Sequence, residues 1–307
     1  MKVIKARVLG FCMGVRRAVD LAVEEAGKAA KEGNPIYTLG PLIHNPKVLD
    51  DLKAIGIQVI NESPLTSCCP LLTEKCTVII RAHGISPALE SDLRGRGCRI
   101  ADATCPKVKA NQLKTRELIE AGYFLFLAGE ERHAEIEGLL GYTGNLTLQN
   151  GSKDDASANC IIAGSAEEAL NAAEKLSYGK KLLKTALLGQ TTISEEEYIN
   201  IGNEIKKFFP TLEIVNTICA ATGERQNALR EILPLADAVI VAGGEESANT
   251  RRLLAIAKES GKPCALAENA AGVPEEFFSF ETVGICAGAS TPDSVVDGIE
   301  RILKNNS

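Results

Sequence analysis

Short apolar runs recur along this chain, and most break into a polar turn followed by a helix-period segment. Thr77-Val-Ile-Ile-Arg-Ala, Tyr123-Phe-Leu-Phe-Leu-Ala, Ala186-Leu-Leu-Gly, Ala236-Asp-Ala-Val-Ile-Val-Ala and Thr282-Val-Gly-Ile-Cys-Ala read as strands. Their near-continuous apolar character suits strands covered on both faces, as in parallel sheets. Val108–Glu120, Arg251–Lys258 and a stretch near 165–177 read as helices. Residues 144–160, rich in Gly, Ser, Asn and Asp, read as an irregular excursion. Repeated strand–turn–helix units imply an α/β fold with mostly parallel sheets and helices on both faces.

A threefold order runs through the pattern. Val8-Leu-Gly-Phe-Cys12-Met-Gly-Val reads as a short strand, a Gly-bracketed turn carrying a cysteine, then an amphipathic helix. Arg99-Ile-Ala-Asp-Ala-Thr-Cys105-Pro and Glu213-Ile-Val-Asn-Thr-Ile-Cys219-Ala are built the same way. Each cysteine turn is followed by two more polar turns, at 44 and 83, at 133 and 191, and at 247 and 290. This order predicts three similar α/β domains, 13–101, 102–213 and 214–307, around a pseudo-threefold axis with a central cavity. Residues 1–12 are expected to complete the third. An ordinary series of Rossmann-like domains with unrelated loops fits the periodicity as well.

Composition narrows the chemistry. The 307 residues carry a net charge of −6, no Trp and 4% aromatics, which argues against nucleic-acid binding. No apolar run is long enough to cross a bilayer. The N-terminal Met-Lys-Val-Ile-Lys lacks an export signal core, so a cytoplasmic location is expected. Ten cysteines in such a chain point to metal binding or catalysis rather than disulfides. Zinc sites usually draw on close-spaced pairs, and no Cys-x-x-Cys occurs. Three widely spaced thiolates suit a [4Fe–4S] cluster, leaving one iron open to act as a Lewis acid and to pass electrons. Cys68, Cys69, Cys76, Cys98, Cys160, Cys264 and Cys286 read as ordinary thiols.

All three histidines, His44, His83 and His133, fall in expected strand-end turns, where imidazole can donate to an anion or move protons. Ser247, Asn249 and Ser290 add neutral donors. Glu135 has two readings: a proton donor in a closed site, or a solvent-facing glutamate at a helix start. Thr191 and Thr192 are equally open, since β-branched residues often leave strands.

Gly10-Phe-Cys12-Met-Gly-Val, Ile43-His44-Asn45, Ala82-His83-Gly84, Asp102-Ala-Thr-Cys105-Pro, His133-x-Glu135-x-Glu-Gly138, Gln190-Thr191-Thr192, Thr217-Ile-Cys219-x-Ala-Thr, Ser247-x-Asn249 and Ala287-Gly-Ala-Ser290-x-Pro-Asp occur in order over nearly the whole chain. This set resembles the 4-hydroxy-3-methylbut-2-enyl diphosphate reductase family, which acts last in the methylerythritol phosphate route to isoprenoids. The resemblance implies a [4Fe–4S] cluster on Cys12, Cys105 and Cys219, with the substrate hydroxyl bound at the open iron. It implies an allylic diphosphate held by His44, His83, His133, Thr191, Ser247, Asn249 and Ser290. Glu135, with Thr191 and His133, would deliver protons, and ferredoxin or flavodoxin would deliver electrons. Isopentenyl and dimethylallyl diphosphate would be the products. Quinolinate synthase, of similar triplicated plan, and a non-catalytic iron–sulfur protein are the alternatives; the His133-x-Glu135 and Ser247-x-Asn249 turns argue against the first. One departure stands out: Glu245-Glu246 replaces a Lys-Asn pair common in the family, and these carboxylates are expected to face solvent.

Overall fold

The computed structural model describes residues 1–60, 72, 74–144, 159–178 and 184–305. Cys68, Cys69 and most of the expected 144–160 excursion lie outside the described residues. Twelve strands and ten α-helices alternate along the described chain. The strands are β1 (Lys2–Lys5), β2 (Ile36–Leu39), β3 (Ile57–Ile60), β4 (Thr77–Ile80), β5 (Arg99–Asp102), β6 (Phe124–Ala128), β7 (Cys160–Ala163), β8 (Thr185–Gly189), β9 (Glu213–Ile214), β10 (Ala238–Ala242), β11 (Cys264–Ala267) and β12 (Thr282–Ala287). The helices are α1 (Met13–Glu32), α2 (Pro46–Ala54), α3 (Pro87–Gly95), α4 (Pro106–Glu120), α5 (Ala134–Tyr142), α6 (Ala166–Ser177), α7 (Glu195–Lys206), α8 (Ala220–Ile232), α9 (Ala248–Glu259) and α10 (Asp293–Asn305).

The strands form three four-stranded sheets, ordered β3-β2-β4-β5, β7-β6-β8-β9 and β1-β12-β10-β11. Read from its other edge, the last is β11-β10-β12-β1, so all three share one connectivity. In two sheets the fourth strand follows the third along the chain; in the remaining sheet that place is taken by β1. Lys2–Lys5 runs parallel to β12, with Lys2 opposite Thr282 and Lys5 opposite Ile285. The fourth strand of each sheet, β5, β9 or β1, is the one that leads to a cysteine.

The two central strands of each sheet are buried because helices cover both faces. Every residue of β6 and β8 is buried. Phe126 and Leu187 face one cluster with Tyr198, Ile201 and Ile205. Leu125, Leu127 and Leu188 face the other with Ile136 and Leu139. β10 and β12 divide their side chains in the same way between two clusters. Truncating a wholly buried ring such as Phe126 to Ala costs about 3–5 kcal/mol.

Caps set where the helices begin. Ser165 and Ser194 each accept the N–H of a glutamate three residues on, Glu168 and Glu197. Asn45 caps α2 and Ser86 caps α3, each followed by Pro in the first turn. α1 ends at Gly33, whose φ of +69° lets its N–H reach the Ala29 carbonyl.

The expected strand at Val8 is absent. Ala6 makes the last bond to β12, through its N–H to the Ile285 carbonyl. Val8 and Leu9 then bend away and pack against the adjacent cores. Gly10 follows at φ +74°, and a Cβ there would stand 2.9 Å from Asp293 Oδ1.

The described chain divides into two compact units. The first draws on Met1–Cys68, Cys76–Ile79 and Ala220–Ser307, the second on Cys69–Lys75 and Ile80–Cys219.

Candidate active site

Each cysteine turn is fastened to its sheet by the same bond. The Cys12 N–H reaches the Ala289 carbonyl at 3.1 Å, the Cys105 N–H reaches Ala82 at 2.9 Å, and the Cys219 N–H reaches Thr191 at 2.9 Å. Ala82, Thr191 and Ala289 each lie two residues beyond a central strand, β4, β8 or β12. The third turns therefore correspond as 82, 191 and 289, a shift of one at two places from the 83, 191 and 290 register expected from sequence. The second turns correspond as expected: His44, His133 and Ser247 each stand five residues beyond β2, β6 or β10. Cys12 and Cys105 occupy the N-cap positions of α1 and α4, and Cys219 directly precedes α8. The Cys12 Sγ accepts the Val15 N–H at 3.4 Å. A helix N-terminus presents partial positive charge to sulfur in its anionic form.

In the first unit, the turns carrying His44, Ser247 and Ser290 meet. Ser290 Oγ donates to the His44 carbonyl at 3.2 Å and lies 3.3 Å from Ser247 Oγ. Ser247 caps α9, accepting the Thr250 N–H at 3.4 Å. Gly244 makes the close approach possible, because a Cβ there would sit 3.0 Å from the His44 carbonyl oxygen. Asn249, in the first turn of α9, is only 3% exposed, yet both Oδ1 and Nδ2 lack a protein partner. Buried amides are normally satisfied, so an orphaned one calls for a missing ligand or water. Hydroxyls, an amide and a helix N-terminus make a site for an anion. Glu245 and Glu246 are exposed, as expected, and their carbonyls receive Arg251 Nη1 at 3.4 and 3.0 Å.

In the second unit, His83 and His133 stand edge to face with ring centroids 5.2 Å apart. His133 caps α5, its Nδ1 accepting the Glu135 N–H at 3.2 Å. Glu135 is wholly buried, which excludes the solvent-facing reading. One carboxylate oxygen accepts the Thr191 N–H at 3.0 Å and the other accepts Thr191 Oγ1 at 2.8 Å. Burial pushes the Glu135 carboxyl up to about 7, against the two Thr191 bonds, which favour the anion. Thr191 thereby joins two functions, since its carbonyl also receives the Cys219 N–H. Gln190 shapes this turn, accepting the Glu130 N–H at 3.1 Å and donating to Thr192 Oγ1 at 2.6 Å. Its role is not visible from residue type or spacing, although it falls within the motif Gln190-Thr191-Thr192.

The eight described cysteines are thiols, and none forms a disulfide. Cys12, Cys105, Cys219 and Cys264 are partly exposed, whereas Cys76, Cys98, Cys160 and Cys286 are buried; Cys264 lies in β11, away from any helix start. Cys286 lies within β12, and burial pushes its thiol up to about 12. The three turn cysteines are thus accessible sulfur donors at helix starts, a donor set that fits an iron–sulfur group.

The sequence profile of the family described as LytB protein matches residues 3–304. The chain belongs to the LytB family. LytB members are iron–sulfur reductases of isoprenoid biosynthesis. Among relatives, the 4-hydroxy-3-methylbut-2-enyl diphosphate reductase of Treponema denticola is 39% identical over 305 residues, covering 99% of each chain. That of Aquifex aeolicus is 38% identical, covering 97% of this chain and 94% of its own. A solved LytB structure, described as (E)-4-hydroxy-3-methyl-but-2-enyl diphosphate reductase, the terminal enzyme of the non-mevalonate pathway, superposes with a TM-score of 0.68. It is 35% identical and covers 99% of this chain and 100% of its own. The Plasmodium falciparum reductase structure shares the fold, with a TM-score of 0.82 at 24% identity, covering 99% of this chain and 87% of its own. These matches do not favour quinolinate synthase. No described helix is long and apolar enough to cross a membrane.

Proposed function

We propose that this LytB chain is a 4-hydroxy-3-methylbut-2-enyl diphosphate reductase. It removes the allylic hydroxyl of its substrate to give isopentenyl and dimethylallyl diphosphate. The balance is simple: the carbon–oxygen bond breaks, two electrons and two protons enter, a C–H bond forms and water leaves. The observation that carries this reading is Glu135, a wholly buried carboxyl that protonates near neutrality. It is bonded to Thr191, whose carbonyl holds the turn of Cys219.

Cys12, Cys105 and Cys219 would hold a [4Fe–4S] cluster with one open iron, which would supply electrons for the reduction and Lewis acidity to the hydroxyl oxygen when bound. The chain's own residues then have distinct tasks. Ser247, Ser290 and the orphaned Asn249 amide, with the His44 turn, bind diphosphate oxygens. His83 and His133 offer imidazole donors to the same anion, and His133 also fixes the start of the helix that carries Glu135. Glu135 carries a proton below about pH 7. Thr191 Oγ1, 2.8 Å away, is placed to relay that proton and to orient the carboxyl. A carboxyl titrating near the working pH suits general acid catalysis.

Ferredoxin or flavodoxin as electron donor and a cytoplasmic location belong to the same reading. So does a division into three domains, 13–101, 102–213, and 214–307 with 1–12, which the shared strand order supports.

Iron and sulfide analysis of anaerobically prepared protein tests the cofactor. About four of each per chain are expected, with a change in the cluster spectrum when the allylic diphosphate is added. The Cys105→Ser variant should lose or destabilise the cluster. Zinc in place of iron, or a spectrum indifferent to the diphosphate, would overturn the reading.

A further inference from the structure

The helices that follow Cys105 and Cys219 bury polar residues where apolar ones would be expected. The buried face of α4 is Val108, Asn111, Gln112, Thr115 and Leu118; that of α8 includes Thr222, Arg225 and Gln226. Burying an amide or a guanidinium is costly unless specific acceptors are supplied.

The acceptors form a repeat. Asn111, six residues after Cys105, donates from Nδ2 to the Thr217 carbonyl at 3.3 Å. Thr217 lies two residues before Cys219. Arg225, six residues after Cys219, donates from Nη2 to the Gly10 carbonyl at 2.7 Å. Gly10 lies two residues before Cys12. In both cases a side chain six positions past one cysteine holds the backbone two positions ahead of the next. Both donors are about 4% exposed.

Neighbouring bonds stiffen each brace. Thr217 Oγ1 accepts the Gly189 N–H at 2.8 Å, so its turn is held from two sides. Arg225 Nη1 is fixed to the Ala221 carbonyl at 2.8 Å, one turn back along its own helix. Six residues past Cys12 stands Ala18, whose methyl has no hydrogen-bond donor. The brace therefore recurs in two repeats and is lost from the third by residue type alone.

We propose that Asn111 and Arg225 are positioning residues that hold the backbone leading into Cys219 and into Cys12 and so govern retention of the iron–sulfur group. They touch no reacting atom; they act through the backbone that carries the thiolates. The inference rests on the proposed iron–sulfur site, and the experiment separates the two.

The full chain, prepared anaerobically, is compared with Asn111→Leu, Arg225→Met, Arg225→Lys and Thr115→Val. Thr115 shares the buried face of α4, donates to the Asn111 carbonyl at 2.9 Å and serves as the packing control. The readouts are the rate of iron transfer to an iron(II) chelator, the electron paramagnetic resonance spectrum of the reduced cluster, and the melting temperature of the metal-free protein.

Loss of a hydrogen bond from a buried donor is expected to speed iron release about tenfold in Asn111→Leu and Arg225→Met and to shift the resonance spectrum. Arg225→Lys, which keeps a charged donor but not the planar fork that bonds both Ala221 and Gly10, is expected to release iron at a rate between those of the parent and Arg225→Met. Thr115→Val should lower the melting temperature without changing iron release. Parental release and spectrum in folded Asn111→Leu and Arg225→Met would overturn the proposal. So would equally fast release in Thr115→Val. If Asn111→Leu fails to fold, the Arg225→Met and Arg225→Lys pair decides. A parent that takes up no iron–sulfur cluster defeats the underlying site reading before any variant is compared.

Discussion

Glu135 is an ionisable carboxyl with no exposed surface, and the two facts oppose each other. Its carboxyl ordinarily ionises near 4.5 but is pushed up to about 7 by complete burial. Between these values the unfolded chain has lost the proton and the folded chain keeps it, so stability falls as pH rises through this window. Above about pH 7 the full cost, roughly 3 kcal/mol, is present; below about 4.5 it vanishes. Glu135→Gln should therefore melt like the parent near pH 4 and at higher temperature at pH 8. The same variant should keep its cluster and lose at least about a hundredfold in turnover, the scale of a general acid. Full activity would remove Glu135 from the proton path. Asn249→Ala should leave the melting temperature within a few degrees of the parent, because the buried amide atoms it removes have no protein partner. It should weaken binding of inorganic diphosphate about tenfold by calorimetry, the value of hydrogen bonds to a charged group. Unchanged affinity would place the anion elsewhere.

At the scale of elements, the cysteine turns explain why the sequence was so readable. Each turn needs a strand before it, a helix after it and a fixed backbone bond, and that grammar leaves apolar run, glycine or proline, and cap in plain order. The edge strands β3, β7 and β11 were not legible. Ile57-Gln-Val-Ile has two exposed positions, and Cys264-Ala-Leu-Ala is built of small residues with little strand preference. The Val8 strand was misplaced because two apolar residues that pack on a core from a bend look the same in sequence as a strand. Glu135 was ambiguous, since a first-turn glutamate usually faces water and only the fold buries it. Asn111 and Arg225 were missed because polar residues on a helix read as a solvated face; their common six-residue spacing from a cysteine was the available signal. Tyr198 shows how a turn is backed by its element. Its hydroxyl lies 2.9 Å from the Leu187 carbonyl and 2.7 Å from that of Val215, tying α7 to β8 and to the segment after β9. Tyr198→Phe should cost about 1–3 kcal/mol in denaturant unfolding, because the Val215 carbonyl loses its hydroxyl donor, while that of Leu187 keeps the Val215 N–H at 3.0 Å. No loss would assign the Val215 carbonyl another partner.

For the whole molecule, the informative fact is that one strand order occurs three times and once borrows its fourth strand from the other end of the chain. Repetition makes the three cysteine turns equivalent in their backbone bonds, while the remaining turns have diverged. In the proposed reaction His44, Ser247 and Ser290 would bind the anion, and His133, Glu135 and Thr191 would deliver the proton. That division of labour within a repeated frame is what an enzyme needs when it must hold a diphosphate and protonate an allylic carbon. The decisive measurement is anaerobic turnover of 4-hydroxy-3-methylbut-2-enyl diphosphate with reduced viologen as electron donor. Isopentenyl and dimethylallyl diphosphate are expected, with two viologens oxidised per product formed, as the two-electron balance requires. Protein shown to carry its full iron and sulfide, yet yielding neither product, would contradict the assignment.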